Sequence, residues 1–159
     1  MSSDLTYVID PGALDDARFE EIRAYWNNKR GVRPMPARAD IDPLELKSHL
    51  GDLLLIDVFP DLSDFRFRLL GTNITATYGR DNTGRTVREI YETSDPETFT
   101  SLSTLYRVVA TARVPVRAGF SLRAVNKAFI KFDSLYLPLS SDGVAVDMIL
   151  CETHFTVMG

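Results

Sequence analysis

Side chains that could carry out acid–base, metal or nucleophilic chemistry are few in this sequence. It contains two histidines, His49 and His154, and one cysteine, Cys151. No C-x-x-C, H-E-x-x-H or calcium-loop pattern occurs, so we expect no metal site. A G-x-S-x-G nucleophile elbow and a G-x-x-x-x-G-K-S/T phosphate loop are also missing. We expect Cys151 to be a small buried side chain rather than a reactive thiol.

One arrangement of these residues keeps an enzymatic function open. His154 could act as a general base if Asp57 or Asp147 stood beside it in a pocket. Small cone-like α+β folds host dehydratases and isomerases of that kind, and this is the alternative hypothesis. We favour the simpler interpretation, in which His154 is a polar residue at a strand end and Asp57 caps a hairpin. The sequence therefore predicts no catalytic residue and a protein that is not an enzyme.

The composition indicates one globular domain with no nucleic-acid or membrane partner. The chain has 159 residues, of which 45% are hydrophobic, and a net charge of −4. Nucleic-acid binding usually requires a basic stripe, and no dense run of lysine and arginine occurs. The sequence has no signal peptide and no apolar run of about 20 residues that could span a membrane. Its single cysteine allows no intramolecular disulfide, which favours a cytoplasmic location.

Hydrophobic periodicity and capping residues divide the chain into an N-terminal arm and one α+β domain. The arm covers residues 1–14 and the domain covers residues 15–159. The pattern predicts an amphipathic helix over 15–30 and a long helix over 95–112. Five strands are predicted to form one antiparallel sheet: 53–59, 65–70, 114–122, 129–138 and 144–155. The short helices of 72–94 and the long helix are predicted between the second and third strands.

Several short motifs, in their order along the chain, resemble those of a family of small stand-alone PAS-like proteins from alphaproteobacteria. The matching pieces span about residues 19–155 and are Trp26 with Lys29-Arg30-Gly31, Pro36 to Pro43, Phe65 to Thr72, Gly79-Arg80-Asp81, Thr83-Gly84-Arg85, and Leu137 to Ser140. The resemblance implies a PAS fold and a signalling or regulatory role. It implies neither a particular ligand nor a reaction.

The resemblance also bears on cofactors. Haem-binding PAS members use a histidine on the long inserted helix, and residues 95–112 contain none. Members with flavin photochemistry use a cysteine on the short helix before it, and residues 72–94 contain none. We therefore expect neither haem nor a photoactive flavin. A small ligand bound without a covalent bond stays open.

Four aromatic residues fall on the elements that would line a PAS cavity: Tyr78, Tyr91, Tyr106 and Phe120. They are the candidate ligand-pocket residues, because small-molecule pockets combine apolar walls with a few polar groups. The alternative is that they fill the core, with each tyrosine hydroxyl reaching a partner.

A second group of residues is predicted to hold the structure together. Arg38, Asp40 and Asp42 lie in a proline-rich linker and are expected to tie it to the sheet by charge-assisted hydrogen bonds. Binding of an anion by Arg38 is the alternative. Gly71 and Gly84 are expected at turns that need a positive φ angle.

The predicted N-terminal helix carries one apolar stripe, formed by Phe19, Ile22, Tyr25 and Trp26. Such a stripe must be covered in a stable protein. It could cover the outer face of its own sheet, or it could contact a second copy in a homodimer. The sequence leaves both arrangements of the stripe open.

We expect the domain to pass its signal in trans, by contact with a separate partner protein.

Overall fold

Six strands form one antiparallel sheet in the computed structural model, which describes residues 4–158. In chain order they are β1 (Thr6–Ile9), β2 (Leu53–Val58), β3 (Phe65–Leu70), β4 (Val116–Arg123), β5 (Phe129–Leu139) and β6 (Met148–Met158). Their order across the sheet is β1-β4-β5-β6-β2-β3. The helices are α1 (Ala17–Arg30), α2 (Thr72–Tyr78), α3 (Val87–Tyr91) and α4 (Pro96–Ala112). The predicted α+β class and the inserted helices are confirmed.

The sheet has one strand more than the five predicted. Strand β1 lies within the segment predicted as an arm, and it pairs antiparallel with β4 along Val116 to Gly119. Asp4 anchors its start, since it accepts hydrogen bonds from the backbone N–H and the hydroxyl of Ser121 at 2.9 and 2.6 Å. The prediction missed β1 because four exposed residues show no burial pattern, and the unpaired edge of β4 becomes visible only in the fold.

The last strand starts later than the predicted residue 144. Asp142 accepts hydrogen bonds from the backbone of Val144 and Ala145 at 2.8 and 2.9 Å, which holds these residues in a turn. Asp147 in turn accepts a hydrogen bond from the backbone of Ser141 at 2.9 Å. Local side-chain bonds of this kind compete with strand pairing. Strand β6 therefore begins at Met148.

Both faces of the sheet are covered by helices. Strand β4 alternates as predicted, with Val116, Ala118, Phe120 and Leu122 buried toward α2, α3 and α4. Helix α1 covers the opposite, outer face. None of the helices in the described part of the chain is long and apolar enough to cross a membrane.

Helix α1 is set on the sheet of its own chain by its apolar stripe. Its N-terminus is capped by Asp16, whose carboxylate accepts from the backbone of Arg18 and Phe19. Phe19, Ile22 and Trp26 are buried, and the Trp26 indole donates to the carbonyl of Pro138 on β5 at 2.8 Å. In the described structure these three side chains are thus packed within the chain.

The linker between α1 and β2 is held differently from the prediction. Arg38 donates to the carbonyl of Ile41 at 3.0 Å, and Asp40 pairs with Arg33 at 2.9 Å. Asp42 caps the next 3-10 turn by accepting from the backbone of Leu44 at 3.0 Å. The prediction that these charges reach the sheet was wrong, because each finds a partner inside the linker.

The linker reaches the sheet region through backbone and apolar contacts instead. The backbone N–H of Ser140 donates to the carbonyl of Pro36 at 2.9 Å. The neighbouring side chain, Met35, is fully buried in the core.

The two glycines of the resemblance have different roles. Gly84 has a φ of 87°, as predicted for a turn residue. Gly71 has a φ of −63°, so the predicted positive φ is wrong there. A Cβ atom at Gly71 would lie 2.3 Å from the carbonyl oxygen of Gly51. Gly71 is needed because two backbone segments approach closely at this point.

We expect Gly71→Ala to lower the free energy of unfolding by about 2–3 kcal/mol, because the methyl group would push against backbone that cannot move without disturbing β2. Gly12→Ala is the matched control, since a Cβ there meets nothing within 4 Å. Urea denaturation of both variants checks this. Equal midpoints for Gly71→Ala and wild type would contradict the close approach.

Candidate ligand cavity

A small cavity of about 60 Å³ lies between the inner face of the sheet and the three inserted helices. All four predicted pocket residues line it: Tyr78 at the end of α2, Tyr91 in α3, Tyr106 in α4 and Phe120 in β4. Most of the other walls are apolar side chains of the sheet and of α2. The elements meet here because each directs an apolar stripe or alternating face toward the same core.

Hydroxyl groups gather on one side of this otherwise apolar cavity. The rings of Tyr106 and Tyr136 lie with centroids 5.8 Å apart, and Ser134 lines the cavity with them. The hydroxyls of Ser134 and Thr153 lie 2.7 Å apart. Tyr78 and Tyr91 line the cavity from α2 and α3. Sequence analysis missed Ser134, Tyr136 and Thr153; their alternation on two neighbouring strands, which places them on the inner face, was the available signal.

The tyrosine hydroxyls of the cavity are neutral groups. Burial raises the pKa of Tyr91, Tyr106 and Tyr136 well above the ordinary tyrosine value, since the low-dielectric core disfavours tyrosinate. Burial also raises the pKa of the Cys151 thiol, which is fully buried on β6 beside Tyr136. The cavity therefore offers neutral hydrogen-bonding groups and no thiolate.

One cation lies at the rim of the cavity. Arg80 lines it from the turn after α2 and is exposed to solvent. Within the described residues, it is the only arginine whose side chain makes no hydrogen bond or ion pair. The neighbouring Asn82 is buried and accepts from Arg85 at 3.0 Å. Arg80 is thus available to an anionic group that reaches the rim.

The alternative catalytic arrangement does not form as predicted. Asp57 pairs with Arg68 at 2.9 Å, and Asp147 is bound to the backbone of Ser141. His154 lies on the outer face of the sheet, where its ring stacks on Phe19 with centroids 4.3 Å apart.

His154 belongs to a polar cluster that sequence analysis missed. Its Nε2 lies 2.6 Å from Glu152 and its Nδ1 lies 2.9 Å from Asp16. His49 contacts the same Glu152 through Nδ1 and contacts Glu21 through Nε2 at 2.6 Å. The spacing of Glu152 and His154 on a strand places them on one face and was the available signal. No short sequence pattern links Glu152 or His154 to His49.

The fold and cavity can be compared with known proteins. A sequence model of the PAS domain family matches residues 15–151. The chain belongs to the PAS domain family. The predicted resemblance to PAS-like proteins is confirmed. No curated protein matches the sequence.

Two solved structures show the same fold at low identity. An RNA-binding light-oxygen-voltage receptor is 14% identical with a TM-score of 0.57, over 96% of this chain and 38% of the receptor, so this PAS domain corresponds to well under half of it. A light-oxygen-voltage domain studied with a flavin analogue is 11% identical with a TM-score of 0.53, over 71% of this chain and 82% of that domain. A light-oxygen-voltage protein of Rhodobacter sphaeroides is 15% identical with a TM-score of 0.49, over 92% of this chain and 69% of that protein.

We expect Tyr91, Tyr106 and Tyr136 to stay protonated in the folded protein above the ordinary tyrosine range. Folding raises the pKa of these tyrosines, so they stabilise the folded protein fully below about pH 10. As the pH rises further, the tyrosines of the unfolded chain ionise first, and this contribution to stability is lost. A spectrophotometric titration should show them ionising only together with unfolding. Simultaneous ionisation of all six tyrosines in the folded protein would contradict their burial.

Proposed function

We propose that this PAS domain is a signalling sensor whose inner cavity binds a short-chain carboxylate. Membership of the PAS family supports the sensor role. The observation that carries the ligand class is the combination, at one cavity, of apolar walls, neutral hydroxyls and an unpaired arginine at the rim. An apolar tail would lie among the aromatic rings, and the carboxylate would pair with the Arg80 guanidinium.

The size of the cavity limits the ligand. About 60 Å³ is well below the roughly 150 Å³ of an engineered core cavity that holds benzene. A chain of a few carbon atoms fits this space better than any ring. We choose butyrate as the probe, because it presents three apolar carbons and one carboxylate.

We further infer that the cavity takes neither haem nor a photoactive flavin. Helix α4 has no histidine, and the segment 72–94 has no cysteine. The single cysteine, Cys151, is on β6 and is not among the residues that line the cavity. Drug-sized ligands occupy roughly 300–1,000 Å³, several times the space available. Purified protein should show neither a Soret band nor a flavin spectrum.

Titration with butyrate followed by NMR tests the ligand. Resonances of Tyr78, Tyr91 and Phe120 should shift and saturate, and Arg80→Gln should weaken binding about tenfold or more, which corresponds to about 1.4 kcal/mol for one lost charge-assisted contact. Arg107→Gln is the matched control, because Arg107 lies on α4 with its guanidinium bound to the carbonyl of Leu62. Butyramide tests the charge, since it has the same shape without the anion.

The outcomes separate the parts of the proposal. Equal binding of butyramide and butyrate would contradict the role of the carboxylate and of Arg80. Shifts confined to surface residues, or none, would contradict ligand binding in the cavity altogether.

The geometry also supports a protein without catalytic activity. Each histidine has both ring nitrogens within hydrogen-bond distance of carboxylates, so neither has a free nitrogen for a substrate. General base catalysis needs a nitrogen within reach of the proton it removes. His154→Ala should therefore change stability and abolish no reaction. A folded variant that lost a measurable activity would overturn this.

We propose that the signal leaves the domain through contact with a partner protein. A homodimer through the α1 stripe is one form of this proposal. It would compete with the packing of Phe19, Ile22 and Trp26 in their own chain, where all three are buried.

Trp26→Ala tests the competing uses of the stripe. If the stripe packs within the chain, the variant should lose about 3–5 kcal/mol of stability and keep the mass of the wild type. Leu44→Ala, at a side chain that is 76% exposed, is the control. Sedimentation and urea denaturation measure both properties. A stable monomeric variant beside a dimeric wild type would show that a second copy uses the stripe.

A further inference from the structure

A buried carboxylate between two histidines joins α1 to the sheet. Glu152, on the outer face of β6, is fully buried. One of its oxygens contacts His49 Nδ1, and the other lies 2.6 Å from His154 Nε2. The second nitrogen of each ring faces α1: His49 Nε2 lies 2.6 Å from Glu21, and His154 Nδ1 lies 2.9 Å from Asp16. We call these five residues the histidine cluster.

With its carboxylates ionised, the histidine cluster can be fully hydrogen-bonded only if both rings are protonated. An ionised carboxylate only accepts hydrogen bonds, and a neutral imidazole carries one N–H and one bare nitrogen. Each ring here faces carboxylates on both sides. Only an imidazolium, with two N–H donors, satisfies both neighbours. A neutral ring would direct a lone pair at a carboxylate oxygen.

The charge balance leads to the same conclusion. Four carboxylates lie around the two histidines and Arg18: Glu152, Glu21, Asp16 and Asp52. The Arg18 guanidinium is shared, since it lies 3.4 Å from Glu152 and 3.5 Å from Asp52. With both rings protonated, three positive charges face four negative ones. With both rings neutral, Arg18 alone would face four anions, one of them fully buried. A buried charge without a partner costs several kcal/mol.

Arginines neutralise the other charges around the cluster. Asp52, in the turn before β2, shares Arg18 with Glu152 at 3.5 Å and accepts from Asn73 at 2.9 Å. Asp133, paired across the sheet with His154, is bound to Arg117 at 2.8 Å, which also binds Asp15 at 2.6 Å. These arginine pairs keep their charge at every pH near neutrality. The two histidines are the cationic groups of the cluster that can lose their charge there.

We propose that the histidine cluster is a proton-dependent latch that holds α1 on the sheet. The docked state holds a second proton on each ring. Release of α1 exposes the rings to water, where a neutral imidazole is acceptable. Because the docked state binds more protons than the released state, rising pH favours release.

The latch acts at a junction where few other polar bonds join α1 to the sheet. Near the C-terminal end of α1, the Trp26 indole donates a hydrogen bond to the backbone carbonyl of Pro138, and neither group is titratable. The histidine cluster lies along the first part of the helix, between Asp16 and Glu21. Opening is therefore expected to begin at the N-terminal half of α1, while the Trp26 end stays in place longer.

Amide hydrogen exchange measured by NMR tests the latch. After correction for intrinsic exchange, protection of the α1 amides near Phe19 and Ile22 should fall about tenfold or more between about pH 6 and about pH 9. Amides of β5 should keep their protection over the same range. The double variant His49→Gln, His154→Gln keeps side-chain donors but removes the titratable charge, so its α1 protection should be independent of pH.

Two further measurements keep the test decisive. Asp57→Asn breaks the ion pair with Arg68, away from α1, and should keep the pH dependence of the wild type. Ring nitrogen chemical shifts of the wild type report protonation directly, even if the double variant fails to fold. Imidazolium shifts for both rings at about pH 6 are expected. Neutral rings there, or unchanged α1 protection up to about pH 9, would overturn the proposal.

Discussion

The central strands of this sheet are apolar on both faces, and the rest of the structure depends on covering them. Leu53, Leu54, Leu55 and Ile56 of β2 are buried one after another, and so are the residues from Ser134 to Leu139 of β5. Continuous burial of this kind requires a layer on each side of the sheet. The inserted helices supply the inner layer, and α1 supplies the outer one. Helix α1 is therefore part of the core and not an appendage.

The outer layer combines two kinds of interaction. Phe19, Ile22 and Trp26 contribute buried apolar area, which carries no titratable group. The histidine cluster adds charged bonds around Glu152, whose burial is tolerated only with close cationic partners. Removing one partner from such a cluster leaves an unbalanced charge in the core. This gives α1 a conditional attachment that apolar packing alone would not provide.

The inner layer contains a small cavity. Four tyrosines meet there, and their hydroxyls must reach partners in the core. The rings of Tyr106 and Tyr136 are in contact, and a small space lies beside them. The hydroxyls of Tyr91, Tyr106 and Tyr136 are neutral there, and the cation at the rim is Arg80.

Local patterns in the sequence determined most of the secondary structure. Alternation along Val116 to Leu122 identified β4, and Asp95 followed by Pro96 identified the start of α4, because caps and periodicity act over a few residues. The order of elements then placed Tyr78, Tyr91, Tyr106 and Phe120 around one space. These aromatic residues could be chosen in advance because the inserted helices face the inner side of the sheet.

Contacts between distant segments were decided only by the tertiary structure. His49 and Glu152 are 103 positions apart, and no local pattern connects them. A glycine is needed at Gly71 because the backbone of Gly51 approaches closely, and not because of the φ angle of Gly71 itself. A turn pattern in the sequence does not reveal that requirement. Strand β1 exists because β4 has a free edge beside it. In each case the partner lies far along the chain, and its position follows from packing the whole core rather than from the preferences of neighbouring residues.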